Sequence, residues 1–474
     1  MIKRNISDVL KVWKDEPNRK PLIIRGIRRS GKTWVLKQFG NDYFSDTAYF
    51  NFEETPAIQT IFKPECDPCL ILTELGRIRG KPIIPGTTLL ILDEIQFCLD
   101  TLFSLKDFTE KLPEQHIACA GSLLYETIEN NLSFLTEQVY IVTLHPLNFG
   151  EFLRANNKET LITFLDDSVP LLPLPEPVTT ELNRLCQEYF ITGGMPEAVS
   201  DWITHHDCNR VEEIHRQILQ DYLHDISIYA PKKERVKMYD IIYAIPNQLA
   251  KKNRRFMLSY LKKGAETKDY ETAVWWLAKK AGIVHKVERL TRPGIPLEAC
   301  LNHSNFKLYF ADVGLLRTLA GITAEEILTK TDNPSEIRKA LTENFVLTEL
   351  LSRNMFRVYY WKYDWREGEV DFVVKIGKYT LPFEVNNKIH LWPKALVRYQ
   401  ELYLPDIILK ISHDVPQYYS SEAPLKFPLY FVWRMPEFII SILTLRDLIL
   451  PPEERQNAIY GRQFESASGV PARR

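Results

Sequence analysis

Gly26-Ile27-Arg28-Arg29-Ser30-Gly31-Lys32-Thr33 has the spacing G-x-x-x-x-G-K-[ST] and follows directly on the apolar run Pro21-Leu22-Ile23-Ile24. A buried strand, a glycine-bearing loop and a helix in that order leave a row of backbone N–H groups aimed at one point. There the positive end of the helix dipole favours a triphosphate. Lys32 is then placed to reach the β and γ phosphates, and Thr33 to hold a magnesium ion bridging them. A second element carries the complementary chemistry: Leu89-Leu90-Ile91-Leu92 ends in Asp93-Glu94. Asp93 suits water-mediated Mg²⁺ binding, and Glu94 suits a general base that polarises the water attacking the γ-phosphorus. A guanine-nucleotide switch would carry Asp-x-x-Gly here, whereas the chain has Asp93-Glu94-Ile95-Gln96. The guanine-reading lookalike Thr329-Lys330-Thr331-Asp332 lies far outside the core. ATP is the expected nucleotide.

Positioning these groups requires a parallel sheet. Thr47 to Phe52 reads as a strand, Leu70 to Arg79 as a helix, His116 to Ala120 as a further strand running into Gly121-Ser122, and Val139 to Leu144 as a fifth. Ser122 then sits where a hydroxyl can sense the γ-phosphate, or where it simply caps the next element. The fold class is α/β, with helices on both faces of the sheet.

The chain has 474 residues and 45% hydrophobic content, enough for about three domains by usual domain sizes. With 60 Lys and Arg against 61 Asp and Glu, bulk affinity for nucleic acid or membrane is not expected. The charged start Met1-Ile2-Lys3-Arg4-Asn5 is unlike a signal peptide, and Phe438 to Leu445 is too short to span a bilayer and reads as a core strand. Seven scattered cysteines fit reduced thiols in the cytoplasm, and the lone Cys66-Asp67-Pro68-Cys69 lacks a second ligand pair for zinc.

After His145 the pattern turns helical, interrupted by a proline-rich loop at 169–177 and by the turn Gly193-Gly194-Met195-Pro196. From Pro231 to Lys263 there are ten Lys and Arg against two acidic residues, on what reads as two short helices. A third helix, Tyr270 to Ala281, and a β-hairpin follow, an order that suggests a winged-helix module. Its basic face could meet the phosphate backbone of DNA, or could be a solvated surface on a packing module.

In the C-terminal third, Glu369 to Ile376 and Tyr379 to Asn386 flank Gly377-Lys378, a pair suited to a two-residue hairpin turn. That register sets Asp371 opposite Glu384. Opposed carboxylates repel unless a cation lies between them or the face is solvated, and Glu343 on the preceding helix could add a third oxygen to a divalent-metal site. Where one nuclease class carries a lysine two residues after the glutamate, this chain has Asn386, with Lys388 one step further on the same face. Asparagine supplies no cation, so DNA cleavage is not expected.

These residues together closely resemble a family of AAA+-type P-loop ATPases (AAA_14) that carry a DUF4143 domain behind the ATPase core. The resemblance rests on Gly26-x-Arg28-Arg29-x-Gly31-Lys32-Thr33, Leu92-Asp93-Glu94-Ile95-Gln96, Gly121-Ser122 and Pro146-Leu147-x-Phe149-x-Glu151-Phe152. It continues through Gly193-Gly194-x-Pro196, Asp312-Val313-Gly314-Leu315-Leu316, Glu343-Asn344 and Glu369-Val370-Asp371-Phe372. The resemblance implies an ATPase core at 1–145, a helical lid at 146–230, a winged-helix-like module at 231–300 and a restriction-endonuclease-like DUF4143 domain at 301–455. A disordered tail at 456–474 is expected from its lack of apolar periodicity. The family's Glu-Val-Lys is Glu384-Val385-Asn386 here. The expected function is ATP binding with Mg²⁺-dependent hydrolysis, Lys32 and Glu94 being catalytic, coupled to a nuclease-like domain that associates with DNA. A nucleotide-gated switch binding DNA or a protein with little turnover is the alternative, and a metal-dependent nuclease a lesser one. AAA+-type sites usually draw an arginine from a neighbouring subunit, and the sequence nominates none, so the oligomeric state stays open, a homo-oligomer being one reading.

Overall fold

The computed structural model describes residues 2–63, 66–124, 138–168, 173–294, 296–328, 335–354, 356–363, 369–376, 379–385, 393–405, 407–412 and 425–449. Asn386, Lys388, Gly377-Lys378, the Thr329–Asp332 tetrad, part of the proline-rich loop and the segment from 456 lie outside the described residues. The chain forms two compact units. The first comprises Met1–Ile162, Arg184–Lys286 and Phe306–Thr348, and the second Thr163–Asn183, Val287–Asn305 and Glu349–Arg474.

The first unit is built on strands β1 (Leu22–Arg25), β2 (Asp46–Asn51), β3 (Thr88–Asp93), β4 (His116–Gly121) and β5 (Tyr140–Thr143), ordered β2-β3-β4-β1-β5. All neighbouring pairs are parallel. Because helices cover both faces, the central strands are continuous apolar runs and do not alternate. Ile23, Leu90, Leu92, Ile117 and Cys119 pack on one side with Ile71, Leu75, Leu105 and Phe108. Leu22, Ile24, Leu89, Ile91, Ala118 and Ala120 pack on the other with Leu10, Trp13, Val35, Leu36 and Phe39. The strand order reverses beside β1, so the C-terminal ends of β1, β3 and β4 open onto one crevice, the usual ligand position in such sheets.

Two motifs of the middle region lock together. Gly193, at φ 60°, ends the helix Glu176–Thr192, and a Cβ there would lie 2.1 Å from Asp312 Oδ1. Asp312 accepts from Gly194 N at 2.6 Å and caps the helix Val313–Leu319 by accepting from Leu315 N at 2.9 Å. A Cβ on Gly314 would meet Gly193 N at 2.6 Å, so both segments need glycine for this approach. His215 closes the lock: its ring nitrogens contact Thr192 O at 2.9 Å and Thr318 Oγ1 at 3.0 Å.

β6 (Val284–Leu290), β7 (Leu301–Phe310), β8 (Val358–Lys362), β9 (Glu369–Ile376), β10 (Tyr379–Val385), β11 (Leu409–Ser412) and β12 (Leu425–Pro428) form a seven-stranded mixed sheet, ordered β12-β11-β10-β9-β8-β6-β7. The hairpin register is the expected one, with Tyr379 opposite Ile376 and Phe383 opposite Phe372. Pro382 sits in β10 immediately before pairing with β11 begins at Phe383, so its missing N–H costs no ladder bond on that side. The pair β6 and β7, expected as a wing, is the last of the seven-strand order.

Two expectations are corrected. Phe438 to Leu445 lies within the helix Met435–Ile449, not in a strand. A short run that is apolar all round fits either state, and Met435-Pro436 starts a helix here. The basic segment holds one 15-residue helix, Arg235–Leu249 with Pro246 inside it, and then a short 3₁₀ turn, Leu258–Tyr260, in place of two helices. Among the described residues no helix is long and apolar enough to cross a membrane.

Candidate functional site

Gly26 leaves β1 where a Cβ would lie 2.3 Å from Leu144 O, so only glycine lets the loop turn beside β5. Arg29 (φ 64°) and Gly31 (φ 93°) adopt left-handed backbone within the loop, as does Glu94 (φ 55°) facing it. Non-glycine residues in that region cost on the order of 1–3 kcal/mol each, and such strain concentrates at functional sites. Gly31 caps the helix Lys32–Tyr43, which therefore points its N-terminus at the crevice.

Lys32 is buried, its Nζ donating to Gly26 O at 3.1 Å and Ile27 O at 3.0 Å. Burial pulls the Lys32 pKa below the usual lysine range, while Glu94 and Asp93 oppose the shift. Asp93, 1% exposed, accepts from Thr33 Oγ1 at 2.6 Å and from Tyr49 Oη at 3.0 Å. Thr33 and Asp93 thus converge from two motifs on one point, the donor set a hard divalent cation needs. Glu94 accepts from Gln96 Nε2, which also reaches Ser122 Oγ at 3.4 Å. Burial raises the Glu94 pKa, with Lys32 and the Gln96 bond partly offsetting it. The expected residues Lys32, Thr33, Asp93, Glu94 and Ser122 are therefore brought together.

Residues that sequence reasoning did not single out complete the site. Arg4, 4% exposed, donates Nε to Glu151 Oε1 at 3.0 Å, Nη1 to Ser30 O at 3.1 Å and Nη2 to His145 O at 2.7 Å. Glu151 belongs to a capping box with Asn148 at the start of the helix Phe149–Ala155, and it also accepts from Asn5 N at 2.6 Å. The spacing Asn148-x-x-Glu151 was the readable signal for that helix start. The helix Cys208–Tyr229 grips the loop at three points: Asp221 to Arg29 Nε at 2.5 Å, Tyr222 Oη to Arg28 O at 3.2 Å, and Asp225 to Arg28 Nη1 at 2.6 Å. Glu197, on the helix Pro196–His205, holds Arg29 at 2.7 Å. A cavity of about 700 Å³ opens beside Lys32, Thr33 and Glu94, and Arg28, Arg29 and Pro196 also line it.

The second metal site suggested by the sequence draws on Glu343, Asp371 and Glu384. Glu343 belongs to the first unit, where it accepts from Tyr309 Oη at 2.8 Å and pairs with Arg254 at 3.3 Å and Lys339 at 3.5 Å. Asp371 and Glu384 belong to the second. Both are buried, so the solvated-face alternative does not hold, and Asp371 accepts from Val385 N at 3.0 Å. The parallel register sets Lys410 of β11, itself buried, beside Glu384, so a cation of the chain's own stands at the neighbouring position. Among the described residues no group of three or more His, Cys, Asp and Glu side chains is gathered as a metal site would require.

Residues 18–153 match the family model of an AAA domain, AAA_14, and residues 338–427 match DUF4143, a domain of unknown function. The chain combines an AAA domain with a DUF4143 domain. Between them, residues 183–326 match a further domain of unknown function, DUF8612, which contains the Gly193–Asp312 lock. An uncharacterized protein of Methanocaldococcus jannaschii is 30% identical over 211 residues, which are 43% of this chain and 40% of that relative's length. Solved structures that the chain matches include a Walker-type ATPase of Pyrococcus abyssi, 16% identical, with 67% of this chain and 96% of that one covered at a TM-score of 0.41. The ADP form of ORC2 of Aeropyrum pernix is 12% identical, with 69% and 95% covered at 0.32. AMPPCP-bound DnaA of Aquifex aeolicus is 16% identical, with 56% and 84% covered at 0.27.

Proposed function

We propose that the chain binds ATP in the crevice of its AAA domain and hydrolyses it. The observation that carries this reading is the convergence of Lys32, Thr33 and Glu94 on one cavity large enough for a nucleotide, with Asp93 bonded to Thr33 beside it. Mg²⁺, held by Thr33 and through water by Asp93, would neutralise charge on the β and γ phosphates. Lys32 exchanges its carbonyl partners for phosphate oxygens. Glu94 takes a proton from water as the water oxygen bonds to the γ-phosphorus and the bond to the β–γ bridging oxygen breaks, releasing ADP and inorganic phosphate. Gln96, bonded to Glu94 and near Ser122, aligns the base with the residue expected to sense the γ-phosphate.

Duplex DNA is the partner we propose for the basic segment, supported by six exposed lysines: Lys232, Lys233, Lys251, Lys252, Lys262 and Lys263. Arg254 is buried with Glu343 and contributes nothing to that surface. Steady-state hydrolysis of ATP by the full chain with Mg²⁺, with and without duplex DNA, tests both parts. Turnover that rises with DNA, and loses that stimulation steeply as salt is added, is expected. No turnover under either condition refutes the ATPase, and turnover indifferent to DNA refutes the partner.

A further inference from the structure

We propose that Arg28 is a phosphate-directed cation supplied in cis to the γ-phosphate of ATP, and that Asp225 holds it when the site is empty. This deepens the ATP-site reading and rests on it.

Three cations belong to the loop, and they are not equivalent. Lys32 is buried against Gly26 and Ile27 carbonyls. Arg29 is committed to two carboxylates on two helices, Asp221 and Glu197. Among the described residues Arg28 has a single carboxylate partner, Asp225, and its side chain is 38% exposed on the cavity that also holds Lys32, Thr33 and Glu94. Its backbone is pinned, because Tyr222 Oη donates to its carbonyl, so only the side chain is left to swing. A guanidinium has five donors in a rigid fork, and one contact to Asp225 leaves most of them for a phosphate.

The cavity lining sets Arg28 at the reacting end of the site, and the electrostatics favour its charge there. Burial works against its charge, but Asp225, Glu53 and Glu94 more than offset it and raise its pKa. Arg28 and Glu94 line the same cavity, so the guanidinium shares that space with the carboxylate that would activate water, where negative charge builds on the γ oxygens in the transition state. Asp225 is 8% exposed, and burial raises its pKa even beside Arg28. That carboxylate is thus a costly partner, and a triphosphate in the crevice can compete for the arginine. ADP lacks the competing group. Asp221 and Asp225 are one helical turn apart, so the exchange at Arg28 occurs on the face of the helix Cys208–Tyr229 that also holds Arg29.

Equilibrium binding of a non-hydrolysable ATP analogue and of ADP, with Mg²⁺, to the full-length wild type, Arg28→Lys, Arg28→Ala and Asp225→Asn tests this, with single-turnover hydrolysis alongside. In wild type the triphosphate binds tighter than ADP. Arg28→Ala removes roughly tenfold of that preference while ADP affinity holds within about twofold, and it slows hydrolysis at saturating ATP about a hundredfold. Arg28→Lys recovers part of both, and Asp225→Asn tightens triphosphate binding without changing ADP. Unchanged preference and rate in Arg28→Ala overturn the role of Arg28, and weaker triphosphate binding in Asp225→Asn overturns that of Asp225. A wild type that binds neither nucleotide overturns the ATP site itself, a separate outcome from the loss of an Arg28 effect.

Discussion

Replacing Arg4 with methionine keeps an unbranched chain of similar length and removes three hydrogen bonds at once, those to Glu151, Ser30 O and His145 O. Both partners of the Arg4–Glu151 pair are about 95% buried, so solvent screening does little to it. Glu151 would be left as a buried carboxylate with only the Asn5 and Asn148 N–H groups. Breaking a buried pair from one side costs about 3–5 kcal/mol, mostly through the charge left behind. Glu151→Gln keeps the shape and an acceptor, so Arg4→Met/Glu151→Gln should cost less than the sum of the singles, with a coupling of about 2 kcal/mol. Because Ser30 lies in the phosphate loop, ATP affinity should also fall about tenfold in Arg4→Met, on the order of 1.4 kcal/mol. Urea unfolding measures the first effect, hydrogen exchange of peptides from residues 2–33 localises it, and calorimetric titration with ATP measures the second. Single variants within about 1 kcal/mol of wild type, with ATP affinity intact, would refute the brace, because a pair this buried cannot be energetically silent.

Gly193→Ala forces a Cβ to 2.1 Å from Asp312 Oδ1 at a left-handed backbone position, so it should destabilise the first unit by about 3 kcal/mol or more, read as a lower unfolding midpoint. His215 is fully buried and desolvation pushes its pKa down to about 3. Its neutral form is the folded one, so this stabilisation is complete above the unfolded value of about 6.5 and is lost as pH falls towards 3. Between pH 6.5 and 5 the wild type should lose up to about 2 kcal/mol that His215→Gln does not lose. Plasmid nicking with Mg²⁺ or Mn²⁺ should be absent, and identical in wild type and Asp371→Ala. A metal-dependent nick that Asp371→Ala abolishes would restore the nuclease reading.

The parallel sheet was legible because its central strands are buried on both faces. Leu22–Ile24 and Leu89–Leu92 can be little else once a phosphate loop and an Asp-Glu pair follow them. The hairpin was legible because a two-residue connection fixes register, and the pairs from Tyr379–Ile376 to Phe383–Phe372 are the expected ones. Contacts between residues distant in sequence left no such trace. Arg4 and Glu151 are 147 residues apart and Arg28 and Asp225 are 197 apart; the capping-box spacing marks Glu151 as a helix start and not as a partner of Arg4, and nothing local marks Asp225. Gly193 and Gly194 read as turn residues, whereas Gly193 and Gly314 serve the close approach around Asp312. The basic run read as one surface, yet Arg254 is spent on the buried Glu343 and Arg235 on the carbonyls of Ala230 and Ile228. A count of charges does not say which are paired.

In the proposed reaction Glu94 activates water on an ATP held by Lys32. The direct measurement is ATP binding and hydrolysis, side by side, for wild type, Glu94→Gln and Lys32→Ala in the presence of Mg²⁺. Glu94→Gln should bind ATP as wild type does while turning over at least about a hundredfold more slowly, and Lys32→Ala should not bind. Equal turnover in wild type and Glu94→Gln, or undiminished ATP binding by Lys32→Ala, would contradict it.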